Sequence, residues 1–219
     1  VSPTSRPDVF SALRAHRVVP LIVTSSAEHI VPLGRALLEG GLPIAEVALR
    51  STVAIEALAR LAEDCPEVLV GAGTVLREQQ VNDAAAAGAR FIVSPGLNEA
   101  VVRRSQELAL PVIPGVCTPT EVDRALSLGL TTLKFFPAEP LGGCRLLSAI
   151  AAPFLTVRFV PTGGITEAHL PTYLAHPAVI ACGGSWMAPQ RWIDEGRFDE
   201  IRDAVVRTVA SVRSLDASP

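Results

Sequence analysis

The sequence predicts a (β/α)8 (TIM) barrel preceded by a short helix. Two observations carry this: eight short apolar runs alternate with eight segments of helical spacing, and no long linker or shift in composition interrupts them. Alternating β and α units argue for a parallel sheet, and eight of them in about 200 residues argue for closure into a barrel. An open doubly wound sheet is the alternative. Such sheets carry a glycine-rich phosphate turn after the first strand, which Thr24-Ser25-Ser26 does not supply. The whole of 1–219 is read as one domain, with 1–17 a helical extension and 18–214 the barrel.

The elements follow in order. Residues 7–16 read as an amphipathic helix, and 18–23, apolar throughout, as the first strand. Helical spacing over 27–39 stops at Gly40-Gly41, a C-terminal signal. The same unit then repeats in pattern, with strands expected at 44–50, 68–73, 90–94, 111–115, 131–136, 157–161 and 178–183. Helices are expected near 52–64, 77–87, 98–109, 119–128, 141–152 and 167–175, with a last one over 198–214. The run Ala84-Ala85-Ala86-Ala87 favours helix and Gly88 ends it. Glu121 and Asp123, after Thr118-Pro119-Thr120, read as capping and dipole residues.

Composition excludes several functions. A net charge of −3 and 5% aromatic residues provide neither the basic footprint nor the stacking platform of a nucleic-acid binder. No apolar run is long enough to span a bilayer, and the first residues lack the layout of a signal peptide. Cys65, Cys117, Cys144 and Cys182 show no CxxC spacing and are expected as reduced, core-filling thiols of a cytoplasmic chain. His16, His29, His169 and His176 form no ligand-spaced pair, so no metal site is expected. His169, His176 and Trp192 read as surface or packing residues, and Trp186 as a buttress for the glycine loop before it.

One residue resists a purely structural reading. Lys134 is the only lysine beside eighteen arginines, and it lies in the apolar run Thr132-Leu133-Lys134-Phe135-Phe136. Arginine stays protonated at any useful pH, whereas a desolvated lysine can shed its proton and attack a carbonyl. The competing readings are a lysine snorkelling from a strand end, or one paired with a carboxylate such as Glu139. Strand alternation sets Glu46 and Arg50 on one face of their strand and Lys134 on one face of its own. If Val47, Leu49, Leu133 and Phe135 pack under the helices, then Glu46, Arg50 and Lys134 point into the barrel. Buried charge is costly, so an interior acid, guanidinium and amine favour chemistry over a salt-bridge network.

Barrel enzymes carry their sites at the C-terminal strand ends, often with phosphate bound after strands seven and eight. Those two ends read Pro161-Thr162-Gly163-Gly164-Ile165 and Cys182-Gly183-Gly184-Ser185-Trp186. Backbone N–H groups free of a Cβ can cradle phosphate oxygens there.

Together, Glu46-Val47-Ala48-Leu49-Arg50, Gly71-Ala72-Gly73-Thr74, Ser94-Pro95-Gly96, Pro114-Gly115, Lys134-Phe135-Phe136-Pro137-Ala138-Glu139 and the two glycine-rich ends resemble the 2-keto-3-deoxy-6-phosphogluconate (KDPG) aldolase / 4-hydroxy-2-oxoglutarate aldolase family. The motifs span about Val18 to Ile201, in order. The resemblance implies a metal-independent class I aldolase, a homotrimer, acting in Entner–Doudoroff carbohydrate metabolism without a cofactor. It implies Lys134 as Schiff-base lysine and Glu46 as proton shuttle. Arg50 and Thr74 are implied to hold the substrate carboxylate. Thr162, Phe136 and Pro95 would border its hydroxyls and the lysine stem, and Gly163, Gly164, Gly184 and Ser185 would take the phosphate. The alternatives are an aldolase for the galacto epimer, a phosphosugar isomerase or epimerase in which Lys134 acts only electrostatically, and a non-catalytic phosphate-binding barrel.

Overall fold

In the computed structural model, which describes residues 8–216, eight parallel strands form one sheet. They are Val18–Ile22 (β1), Ile44–Ala48 (β2), Leu69–Gly73 (β3), Ile92–Ser94 (β4), Val112–Val116 (β5), Thr132–Phe135 (β6), Arg158–Pro161 (β7) and Cys182–Gly184 (β8). Strand order is β7-β6-β5-β4-β3-β2-β1-β8, and isolated parallel bridges, Phe159 to Val179 and Thr162 to Gly183, join β7 to the β8 segment. The expected (β/α)8 barrel is therefore present, nearly closed, with its weakest seam between β7 and β8.

Helices follow the strands as Ile30–Glu39 (α2), Ala54–Asp64 (α3), Glu78–Ala86 (α4), Glu99–Glu107 (α5), Pro119–Ser127 (α6), Gly143–Ala151 (α7) and Leu170–Leu174 (α8), with Phe198–Asp216 (α10) last. Three features depart from the sequence pattern. The eighth strand, expected at 178–183, is reduced to three residues: around Val179 the chain meets β7 only at Phe159, which donates to Ala178 O and accepts from the Ile180 N–H, while the Val179 N–H turns back to His176 O. Short 3-10 turns, Glu139–Leu141 and Glu167–His169, precede α7 and α8; the second replaces the first turn of the helix expected at 167–175. A five-residue helix, Gln190–Asp194 (α9), was not anticipated; it is too short to show a helical period.

Local chemistry explains the helix starts. Thr118 and Glu121 form a capping box at α6, each side chain serving the other's backbone N–H, so the capping expectation for Glu121 holds. Val9–His16 (α1) starts at Asp8, whose carboxylate accepts from the Ser11 N–H at 3.0 Å. Pro7, the expected start of that helix, lies outside the described residues.

Helix α1 is more than an extension. Leu13 is 1% exposed and lines the same inner cavity as Val19, Ile113 and Val160, so α1 plugs the end of the barrel from which the strands start. Burying one leucine contributes about 1.5–3 kcal/mol. No helix among the described residues is long and apolar enough to cross a membrane.

Candidate active site

Both faces of a parallel barrel strand are covered, so β2 and β6 are buried along their whole lengths. Alternation nevertheless sends Glu46 and Lys134 inward. Lys134 Nζ lies 3.2 Å from Glu46 Oε1, and the two residues are 5% and 4% exposed. The carboxylate partner of Lys134 is therefore Glu46, eighty-eight positions earlier, and not Glu139. Glu139 accepts instead from the Tyr173 hydroxyl.

The surroundings are apolar. Phe91, Val93, Ile113, Val160 and Val19 line a cavity of about 10 Å³ beside the pair, room for no more than about one water. The Phe136 ring centroid is 5.3 Å from Lys134 Nζ, close enough for an ammonium–ring attraction when the amine is charged. Glu46 reaches this position by lying across Gly73, where any Cβ would collide with its carboxylate. That contact fixes the side-chain direction and gives Gly73 a steric reason.

Arg50 corrects the sequence expectation. Strand β2 ends at Ala48, so Arg50 stands past the wall, exposed at the rim, and not inside the barrel. Its Nε donates to Thr74 Oγ1 at 3.2 Å. Thr74, just beyond β3, has φ of +57°, a left-handed conformation that costs a β-branched residue about 1–3 kcal/mol.

The two glycine-rich ends come together as expected. Thr162, 2% exposed, bridges to Gly183, which sets the β7 and β8 loops side by side at the mouth. Gly163 and Gly164 have φ of +102° and +76°, conformations that admit glycine with least strain. The Gly163 carbonyl accepts from the Glu139 N–H at 3.0 Å, which ties the loop to the segment after β6. Ser185 is exposed at the loop tip, and Pro95 is half-buried after β4. The Trp186 ring lies over Gly184 and its Nε1 donates to Thr208 Oγ1 at 3.2 Å, as a buttress should.

Other expectations divide. Cys65 and Cys182 are buried, whereas Cys117 and Cys144 are only half-buried; all four are free, and burial pushes the Cys182 thiol well up. His176 is a loop residue whose Nδ1 accepts from the Ala178 N–H. His169, expected as a surface or packing residue, has its Nε2 3.7 Å from Glu139 Oε2. No spacing rule links positions 139, 169 and 173, so only the fold reveals that group. Among the described residues, no three His, Cys, Asp or Glu side chains gather as a metal site.

This geometry matches known proteins over nearly the whole chain. Residues 9–204 match the family model described as KDPG and KHG aldolase. A 2-dehydro-3-deoxy-phosphogluconate aldolase from Treponema pallidum (strain Nichols) is 49% identical over 193 residues, 88% of this chain and 92% of its own length. The crystal structure of KDPG aldolase from Legionella pneumophila, with pyruvate captured at low pH as a covalent carbinolamine intermediate, superposes with a TM-score of 0.89 at 39% identity, covering 92% of this chain and 98% of its own. That of the Zymomonas mobilis ZM4 enzyme with 3-phosphoglycerate gives 0.86 at 37% identity, covering 93% and 95%.

Proposed function

The chain belongs to the KDPG and KHG aldolase family, and from that membership we propose that it is a class I aldolase, a carbon–carbon lyase, cleaving KDPG to pyruvate and glyceraldehyde 3-phosphate. The observation that carries the proposal is an amine and a carboxylate 3.2 Å apart, both buried in the barrel interior. A covalent pyruvate adduct in the Legionella pneumophila relative supports the same chemistry.

The neutral Lys134 amine adds to the C2 ketone, and Glu46 supplies the proton with which the carbinolamine loses water. The resulting iminium is an electron sink. Glu46, now a carboxylate, takes the C4 hydroxyl proton; C3–C4 breaks, the aldehyde leaves, and the electron pair enters an enamine. The same carboxyl then protonates C3, and water hydrolyses the pyruvyl iminium. One carboxyl serves all three transfers because its two protonation states alternate. The 3.2 Å contact offers a direct route for the first proton from amine to carboxylate.

Arg50, with Thr74, is assigned the substrate carboxylate, gripping it bidentately and presenting the ketone to the amine. Thr162, Phe136 and Pro95 are assigned the hydroxyls and the lysine stem. Gly163, Gly164, Gly184 and Ser185 are assigned the phosphate, supported by the meeting of the two glycine-rich loops at the barrel mouth and by 3-phosphoglycerate in the Zymomonas mobilis relative. The smaller 4-hydroxy-2-oxoglutarate shares the carboxylate, ketone and C4 hydroxyl, and is proposed as a second substrate giving pyruvate and glyoxylate. The galacto epimer is not favoured, since the relatives above carry the gluconate name. A cytoplasmic homotrimer in the Entner–Doudoroff route completes the proposal; the four free cysteines agree with a reducing compartment.

The test is pyruvate release from KDPG, followed through a coupled dehydrogenase, with and without a strong chelator. Turnover unchanged by the chelator is expected, and a chelator-sensitive rate would sink the metal-independent reading.

Thr74→Gly gives a second expectation. It relieves about 1–3 kcal/mol of strain, offset by up to about 1 kcal/mol of added chain entropy. The melting temperature should rise by about 2–4 °C, while KM rises about tenfold as the hydroxyl beside Arg50 is lost. A lowered melting temperature or an unchanged KM would show that the strain does not serve the site.

A further inference from the structure

Glu139 lies outside the reacting centre, yet it touches each piece of chain that carries the glycine loop after β7. Its backbone N–H donates to Gly163 O at 3.0 Å, and that of Ala138 donates to Thr162 O at 2.8 Å. The loop thus stays laddered to the segment just beyond Lys134. A Cβ placed on Gly164 would sit 2.8 Å from Glu139 Cβ, so the loop rests on the stem of this side chain.

The carboxylate is held from the other side. Tyr173 of α8, 1% exposed and among the largest fully buried side chains, donates its hydroxyl to Glu139 Oε1 at 2.5 Å. Burial, then Glu139, pushes the phenol well up, so the group stays an O–H donor. His169 Nδ1 accepts from the Thr166 N–H at 3.1 Å, which leaves Nε2–H directed at Glu139 Oε2. A buried ring needs no hydroxyl to pack, and this one serves a carboxylate 34 positions earlier in the chain.

We propose that Glu139 and Tyr173 are positioning residues for the phosphate end of the substrate, clamping the Gly163–Gly164 loop between β6 and α8. They act on the fit of the phosphate and not on C3–C4 cleavage. This rests on the reading of the glycine loops as the phosphate site.

Steady-state kinetics of the parent, Tyr173→Phe and Glu139→Gln on KDPG and on its unphosphorylated counterpart test it. For Tyr173→Phe, KM for KDPG is expected to rise about 3- to 10-fold with kcat within about twofold of the parent. Both constants for the unphosphorylated acid should stay unchanged, and the inhibition constant of inorganic phosphate should rise in parallel. Glu139→Gln, whose amide oxygen still accepts from Tyr173, should keep a KM for KDPG near the parent's; Glu139→Ala should raise it as Tyr173→Phe does, and it reads the clamp separately if Tyr173→Phe folds poorly. Equal changes on both substrates, a fall in kcat alone, or no change in any variant would overturn the clamp. A parent without preference for the phosphorylated acid would overturn the phosphate reading first, and the clamp with it.

Discussion

Borohydride added with pyruvate is expected to stop turnover and leave one reduced adduct on the protein, at Lys134. With a single lysine in the sequence, peptide mapping need only separate Lys134 from the N-terminal amine. Lys134→Arg keeps a cation opposite Glu46 but cannot surrender its proton. Its activity is expected to fall beyond the about 10²–10⁴-fold that a lost acid–base group costs, because the covalent route itself disappears. Lys134→Met, with no cation, should be equally inactive and so separates lost chemistry from the crowding a guanidinium brings. An unmodified protein after trapping, or turnover surviving in both variants, would restore the isomerase or epimerase reading in which Lys134 acts only electrostatically.

Glu46→Gln is the second large effect expected. It keeps the shape that lies across Gly73 and removes the exchangeable proton. The rate of KDPG cleavage should drop about 10²–10⁴-fold. Exchange of the pyruvate methyl protons for deuterium, followed by NMR, should slow by a similar factor, since enamine formation and protonation use the same carboxyl. The variant also strips a buried cation of its counter-charge, which costs about 3–5 kcal/mol when one partner of a buried pair is removed. A lowered melting temperature is therefore part of the expectation. Exchange at the parent rate would assign the proton transfers to another group.

Lys134 and Glu46 were legible because a lone lysine in an apolar strand, and an acid at an inward strand position, violate the pattern around them. Arg50 was legible as a residue but misread in place. Periodicity continues past the last laddered residue, whereas the strand itself stops at Ala48, where pairing with β3 ends at Gly73. The eighth strand was overextended for a related reason: an apolar run marks burial, and backbone bonding to two neighbours marks a strand.

From the sequence alone came the alternation of elements, the inward acid and amine, and the two glycine-rich ends, all of them properties of neighbouring residues and of period. Tertiary structure decided that Lys134 meets Glu46 instead of Glu139, that Leu13 seals the barrel from below, and that Glu139, His169 and Tyr173 converge beneath one loop. Those outcomes depend on which strand ends and helices lie side by side once the sheet has curled round, and no local spacing encodes that proximity.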